Sequence, residues 1–346
     1  MSRAYQARFV DELLPGAWRA GHKSVLLALP VGAGKTKCSR LVTQRLLALS
    51  GWDIAVVDHR KELTEQFSAE FADLSPGVFW AGKPSPVPSP LRIGGRDTLI
   101  RREWTPLCDK LLLVIDEAHH VAQQNTYGKL LQRFRTLYRV VYVLGLTATP
   151  YRLDGKPLGK VFDTLIEPTK PGDLIDAGVL MEPVILRRDA PDLDGLHKQG
   201  GDFIGTELEM RSRRLVGNVV EELKNWSDGY PAVLRAVSIA HSKTLCERLT
   251  AAGFRAAHMD GGTPATERDE LFARLAIGGQ RGAASGIDVL CQVDIASEGW
   301  NPPSDYERVL RLPHLWPSSD NPPPYVPLCV LSDCRPTLSR SGYRQF

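Results

Sequence analysis

A glycine-rich segment at a strand-to-helix junction constrains this chain more than any other feature of its sequence. Residues 29–36 have the sequence LPVGAGKT. The apolar run 24–29 predicts a short strand, and the helical spacing of apolar residues from Cys38 to Leu49 predicts a helix after the glycines. Glycines at such a junction let the backbone wrap around phosphate groups, which the N–H groups of the helix N-terminus can bind. The segment therefore predicts an α/β fold with a phosphate loop.

The loop supplies each kind of group that a triphosphate needs. Its candidate nucleotide-binding residues are Gly32, Ala33, Gly34, Lys35 and Thr36. Lys35 would place a positive charge on the β- and γ-phosphates, and Thr36 would offer a hydroxyl ligand to Mg²⁺. The strict phosphate-loop pattern begins with a glycine where this chain has Leu29. A glycine-rich turn with an exposed lysine is therefore the alternative at this point.

Two acidic residues follow a second apolar run. The run 111–115 is LLLVI, which is typical of a central parallel strand covered on both faces, and Asp116 and Glu117 come directly after it. Ligands of open α/β sheets bind at the carboxyl ends of the strands. Asp116 is thus a candidate Mg²⁺ ligand, and Glu117 is a candidate base that orients and deprotonates water. The alternative is that the two acids simply begin a solvated turn.

Further short segments accompany these two motifs in a fixed order. They are RAYQ at 3–6, HR at 59–60, DTL at 97–99, TATP at 147–150, AHS at 240–242, DGGTP at 260–264, ER at 267–268 and SEGWNPP at 297–303. In this order the chain resembles the superfamily 2 helicases. It is most similar to compact bacterial and phage DEAD/DEAH-box DNA helicases, which are related to RadD-type repair ATPases and to the translocating subunits of restriction enzymes.

The resemblance implies two RecA-like P-loop NTPase domains, each a mainly parallel sheet flanked by helices. It also implies ATP and Mg²⁺ as cofactors and nucleic acid as the partner. It implies that Lys35, Asp116 and Glu117 are catalytic residues and that Arg3, Gln6 and Gly299 contact the nucleotide. It implies that His119, Thr147 and Thr149 couple hydrolysis to movement. It also implies that the nucleic-acid backbone is contacted by His59, Arg60, Thr98 and Ser242. Gln6 would form hydrogen bonds with the edge of the adenine base.

Simpler interpretations of some of these residues stay open. Gln6 could be an exposed terminal residue beside a core Tyr5, and the segment 147–150 could be only a strand end that the proline terminates. His120 is interpreted as a neighbour of His119 without a role of its own.

Length and composition set the domain organisation. With 346 residues and 43% hydrophobic content, the chain can form two domains with substantial cores. We expect a first RecA-like domain at 1–170, a connector at 171–230 and a second RecA-like domain at 231–346. No apolar run has membrane-spanning length and no signal peptide is evident, so the expectation is a cytoplasmic protein without a membrane partner. The scattered cysteines fit a reducing compartment, with Cys38 and Cys291 packed as small hydrophobes.

The net charge of +3 is too small to indicate nucleic-acid binding by itself. Basic residues are nevertheless clustered in two places, at Arg92, Arg96, Arg101 and Arg102 and at Arg211, Arg213 and Arg214. Such clusters add salt-dependent affinity for phosphates, although charged runs usually form solvated faces. Trp104 and Trp300 could stack on bases or belong to the core. DNA is favoured over RNA, and a monomer is slightly favoured over an oligomer.

The end of the sequence departs from the family pattern. The last helicase motif normally continues Q-x-x-G-R-x-x-R, whereas here the sequence stops at Phe346 and both expected arginines are missing. Asn301 also stands where many relatives have aspartate. We expect an ATP-dependent DNA helicase or translocase whose second domain is incomplete. The alternatives are an ATPase that translocates without unwinding and a truncated ATP- and DNA-binding module with negligible turnover.

Overall fold

The computed structural model divides the chain into two compact units, Met1–Leu180 and Met181–Phe346. It describes residues 2–122, 125–150, 158–180, 183–189, 197–199, 202–203, 216–226, 231–236, 238–278, 285–293, 310–312 and 325–331. The division into domains at 1–170 and 231–346 with a connector at 171–230 stays a prediction.

The first unit is built on a seven-stranded sheet. Its strands are β1 (Ser24–Ala28), β2 (Trp52–Asp58), β3 (Gly77–Phe79), β4 (Leu91–Gly95), β5 (Lys110–Ile115), β6 (Val140–Thr147) and β7 (Thr164–Ile166). They lie in the order β3-β4-β2-β5-β6-β1-β7, and every neighbouring pair is parallel. The carboxyl ends of β1, β2, β5 and β6, which precede the predicted motifs, therefore share one edge of the sheet.

Helices cover this sheet on both faces. They are α1 (Ala4–Arg8), α2 (Leu14–Arg19), α3 (Lys35–Ala48), α4 (Lys61–Glu70), α5 (Arg96–Leu99), α6 (Thr126–Leu137) and α7 (Pro171–Asp176), and a π-helical segment, Phe9–Leu13, joins α1 to α2. Two separate hydrophobic clusters result, one on each face. Residues 111–115 are buried on both sides, as the continuous apolar run predicts.

The second unit has a six-stranded mixed sheet. Its strands are β8 (Pro183–Asp189), β11 (Ala232–Arg235), β12 (Ala256–Met259), β13 (Val289–Gln292), β14 (Leu310–Leu312) and β15 (Tyr325–Leu331), in the order β12-β13-β11-β14-β15-β8. The first four in this order are parallel, whereas β15 runs antiparallel to both β14 and β8. A small hairpin, β9 (Lys198–Gln199) with β10 (Asp202–Phe203), and helices α8 (Val216–Trp226), α9 (Ile239–Ala251) and α10 (Ala265–Gly278) complete the described part.

Both units thus have the predicted α/β architecture of mainly parallel sheets flanked by helices. Cys38 and Cys291 are fully buried and pack as small hydrophobes, as predicted, and burial raises the pKa of the Cys38 thiol to about 12. Trp104 also belongs to the core, where its indole N–H donates to the hydroxyl of Tyr138. Within the described residues, no helix is both long enough and apolar enough to cross a membrane.

Candidate functional site

The phosphate loop lies between β1 and α3 and opens toward the N-terminus of the helix. Gly32 and Gly34 have φ values of +80° and +83°, a left-handed conformation that side chains with a Cβ rarely adopt. The hydrogen-bond ladder of α3 starts where the N–H of Cys38 donates to the carbonyl of Gly34 at 3.0 Å. The N–H groups of Lys35 and Thr36 precede this first bond, so they have no acceptor within the helix. The loop is therefore shaped as an anion cradle at the positive end of a helix dipole.

The start of the chain packs directly on this loop. The hydroxyl of Tyr5 donates to the carbonyl of Ala33 at 2.6 Å, and the amide nitrogen of Gln6 donates to the same carbonyl at 3.1 Å. The other side of the Gln6 amide accepts from the backbone N–H of Arg3 at 3.0 Å. Only 3% of Gln6 is exposed, so the alternative of an exposed terminal glutamine is wrong. Gln6 retains one amide hydrogen and one lone pair for a base edge.

The two acids lie at the carboxyl end of β5, as predicted. Asp116 is 7% exposed, and its backbone N–H donates to the carbonyl of Val57 at 3.0 Å. Burial raises the pKa of the Asp116 carboxyl, against the lowering effects of a backbone hydrogen bond from Glu117 and of the charges of Lys35 and His59. A buried carboxylate held near a lysine is poised for a divalent cation, which would offset the cost of burying its charge.

Glu117 has an unusual backbone conformation. Its φ of 45° and ψ of 51° are left-handed, although the residue carries a full side chain. Such a conformation costs on the order of 1 to 3 kcal/mol and is concentrated at functional sites. Here it turns the chain sharply out of β5 into the short 3-10 helix Ala118–His120.

A polar network connects the acidic pair to the end of β6. The Oε2 of Glu117 lies 3.3 Å from Nδ1 of His119, which in turn lies 3.1 Å from Oγ1 of Thr147. The backbone N–H of Thr149 donates to that hydroxyl at 3.1 Å, and the hydroxyl lies 2.9 Å from the carbonyl of Thr149. Thr147 is fully buried. The three predicted coupling residues are therefore in one connected chain of contacts.

A cleft of about 500 Å³ lies beside this site, also at the carboxyl edge of the sheet. Three separate chain segments line it, the turn after β2 with the start of α4, residues 79–83 at the end of β3, and the start of α5. They bring His59, Arg60 and Thr98 together. The turn is held by the buried carboxylate of Asp58, which accepts from the hydroxyl of Thr64 at 2.8 Å. The charged residues of the lining are basic at Arg60, Lys61, Lys83 and Arg96 and acidic at Glu65 and Asp97. The predominantly positive lining suits a polyanion.

Some predicted site residues are not part of this arrangement. Ser242 belongs to the second unit, where it is fully buried and its Oγ lies 2.8 Å from Nδ1 of His258. A direct contact with a nucleic-acid backbone would require Ser242 to leave that position, so we omit it from the candidate interface. Gly299, Trp300 and Asn301 lie outside the described residues, as do Arg211, Arg213 and Arg214.

The interpretation of the first arginine cluster as a surface for phosphates is wrong for Arg92. Only 4% of Arg92 is exposed, and its guanidinium donates to the carbonyls of Ser89 and Thr105 at 2.7 Å and 2.9 Å. It also lies over the ring of Trp104, 4.3 Å from the centroid. Arg92 is therefore a structural residue of the interior, and it adds nothing to a surface for phosphates.

Sequence patterns did not reveal two contacts of the site. One is the Tyr5 hydroxyl on the phosphate loop. The other is the position of His120, whose ring lies between those of His59 and His119. His120 thus contacts residues of two predicted motifs, which its interpretation as a neighbour of His119 without a role of its own does not anticipate. Both are contacts between distant segments, which spacing along the chain cannot indicate.

The fold and the loop define the class of protein, one with two α/β units of RecA-like architecture, the first of which carries a phosphate-loop turn. Residues 1–152 match the family described as Type III restriction enzyme, res subunit. The chain is 28% identical over 289 residues to a 51.5 kDa protein of a Lactococcus phage, covering 83% of this chain and 59% of that protein. It is 31% identical over 155 residues to the DNA 3'-5' translocase XPB2 of Sulfurisphaera tokodaii, covering 44% of this chain and 32% of that one.

Solved structures show the same fold. The helicase domain of Hef from Pyrococcus furiosus superposes with a TM-score of 0.51 at 14% identity, covering 87% of this chain and 88% of that one. Together, these similarities relate the first half of the chain to the restriction-enzyme res subunit family, and they relate its fold to that of a helicase domain. It spans less than two thirds of the length of either relative.

Proposed function

We propose that this chain is an ATP- and Mg²⁺-dependent DNA helicase or translocase. The observation that carries the proposal is a single edge of the first sheet, where the phosphate loop, the acidic pair and the basic cleft meet. On this proposal Lys35 and the N-terminus of α3 bind the β- and γ-phosphates, and Gln6 with Arg3 contacts the base.

The donor set fits a magnesium ion. Thr36 and Asp116 would hold Mg²⁺ through a hydroxyl and a carboxylate oxygen, the hard ligands this ion prefers. Bound there, Mg²⁺ would neutralise charge that develops on the phosphate oxygens. Glu117 takes the role of the base, because its carboxylate follows Asp116 directly and is oriented by His119 at 3.3 Å. When the cleaved phosphate leaves, the change at Glu117 would reach Thr147 and Thr149 through His119.

Nucleic acid is assigned to the cleft that contains His59, Arg60 and Thr98. Its basic residues would contact phosphates without reading sequence, as a motor that moves along a strand requires. The relative XPB2 is a DNA 3'-5' translocase, which supports DNA over RNA. On this proposal the protein acts in the cytoplasm and as a monomer, as expected from the sequence.

Phosphate release by the wild-type chain, with and without single-stranded oligothymidylate, tests this proposal. We expect Lys35→Ala to lower kcat by at least about a hundredfold, the scale of losing one preorganised charge-stabilising donor. Lys37→Ala is the matched control, because Lys37 lies on the same helix but directs its ammonium toward Glu70, 4.0 Å away. Equal turnover of Lys35→Ala and Lys37→Ala would refute the assignment of the phosphate loop.

The alternatives have separate outcomes. Displacement of a strand from a tailed duplex identifies a helicase, whereas stimulated turnover without displacement identifies a translocase. Binding of ATP and oligothymidylate without measurable turnover would identify a binding module. Replacing oligothymidylate with oligouridylate compares DNA with RNA.

A further inference from the structure

Three histidine rings form a continuous row between the basic cleft and the acidic pair. The ring of His59 meets that of His120 edge to face, with centroids 5.0 Å apart and an interplanar angle of 61°. The ring of His120 then meets that of His119, with centroids 4.1 Å apart. We call His59, His120 and His119 the histidine row.

The two ends of the row lie in different parts of the site. His59 lines the basic cleft beside Arg60 and Thr98. At the other end, Nδ1 of His119 lies 3.3 Å from Oε2 of Glu117, the proposed base. His120 is the member that joins the two ends, because it contacts both other rings.

The backbone of His120 is held in place. Its N–H donates to the carbonyl of Glu117 at 3.0 Å, and its carbonyl accepts from the side-chain amide of Asn125 at 2.7 Å. All three rings are partly buried, so a shift of one ring meets the next within van der Waals reach. A constraint that a bound strand places on the His59 ring would therefore be passed by packing to His119.

We propose that His120 is a positioning residue that couples occupancy of the basic cleft to the orientation of Glu117. The inference rests on the proposed function and deepens it by naming how nucleic acid stimulates hydrolysis. A strand held at Arg60 fixes the His59 ring, the His59 ring fixes His120, and His120 fixes His119 against Glu117. The coupling works through packing and needs no change in protonation.

The test compares His120→Ala with His120→Phe in the full chain. Alanine removes both ring contacts, whereas phenylalanine keeps a ring of similar shape. His22→Ala is the control for removing a histidine outside the row. Measured for each variant are basal turnover, turnover at saturating oligothymidylate, and the affinity of a fluorescent non-hydrolysable ATP analogue with and without oligothymidylate.

We expect His120→Ala to reduce the stimulation of turnover by about tenfold, within the roughly 5- to 150-fold range of typical coupling between two sites. Basal turnover should stay close to wild type, because the row of rings acts only when a strand occupies the cleft. The Kd for oligothymidylate, obtained from the concentration dependence of the stimulation, should also stay close to wild type, because the proposed phosphate contact is made by Arg60. His120→Phe should retain most of the stimulation. The effect of oligothymidylate on the affinity for the analogue should shrink in His120→Ala as well, because the same row of rings links the cleft to the nucleotide site. By linkage, the effect of the analogue on the affinity for oligothymidylate should shrink equally.

Three results would overturn the inference. These are unchanged stimulation in His120→Ala, a loss of basal turnover as large as the loss of stimulated turnover, and equal losses in His120→Phe and His120→Ala. A wild-type chain that binds both ligands but hydrolyses nothing would refute the proposed motor. In that case the affinity of the ATP analogue still tests the inference. If oligothymidylate changes this affinity in the wild type and not in His120→Ala, the inference is supported. If oligothymidylate has no effect in the wild type, or the same effect in both proteins, the inference is overturned.

Discussion

Replacing Gly34 with alanine measures how firmly the start of the chain holds the phosphate loop. Gly34 has a φ of +83°, and a Cβ added there would lie 2.6 Å from the amide nitrogen of Gln6. The left-handed backbone alone costs an L-residue about 1–2 kcal/mol. Displacing the buried Gln6 amide from Ala33 and from Arg3 adds about 1–3 kcal/mol for groups left unsatisfied. The expected loss of stability in the first unit is therefore about 2–5 kcal/mol.

Amide hydrogen exchange in the full chain is the appropriate assay, because it reports the opening free energy of β1 and α3 separately from the second unit. Gly21→Ala provides a matched control for strain. Its φ is +92°, and a Cβ there would meet nothing within 4 Å. Gly21→Ala should therefore cost only the strain of about 1–2 kcal/mol.

Making the same substitution in a Gln6→Ala variant isolates the contact with Gln6. In Gln6→Ala, the added methyl of Gly34→Ala no longer meets the amide, so its cost should fall to that of Gly21→Ala. An equal cost of Gly34→Ala with and without the Gln6 side chain would refute this reasoning.

Two further predictions concern the basic cleft and the second unit. Arg60→Ala should weaken binding of oligothymidylate and reduce the slope of log affinity against log salt by about 0.7, the value for one phosphate contact on a single strand; an unchanged slope would remove Arg60 from the interface. Burial raises the pKa of Asp288, but bonds from the side chain and backbone N–H of Arg255 outweigh it and hold that pKa below the usual value. The stability that this pair contributes should be present at neutral pH and be lost as pH falls below about 4. Urea unfolding at several pH values measures this, and the free energy of unfolding of Asp288→Asn should depend less on pH than that of the wild type if the pair is responsible.

Local patterns predicted the parts of the site that depend on a single junction. The phosphate loop follows β1 and the acidic pair follows β5, because an apolar run and the residues after it fix a strand end without reference to the rest of the chain. The shared edge of the sheet then follows from parallel strands. For the same reason, the α/β fold class could be predicted from sequence.

Contacts across the sheet could not be predicted in this way. Arg92 was grouped with surface arginines, yet β4 is covered on both faces and its arginine is buried with Asp53, 3.9 Å away. A pattern of residue types shows that a strand exists, but it does not show which charged side chain finds an interior partner. The row of histidines is a similar case, since His59 and His120 meet only after β2 and β5 have paired.

The antiparallel pairing of β8 with β15 affects how the protein is made. The sheet of the first unit is complete once Ile166 of β7 has emerged from the ribosome. In contrast, β8 begins at Pro183 and obtains its partner only when β15, ending at Leu331, has been synthesised. During that interval β8 lacks its native neighbour, and an unpaired strand edge invites aggregation. The sheet of the second unit is therefore completed late in synthesis, and β8 stays a candidate for aggregation until Leu331 is present.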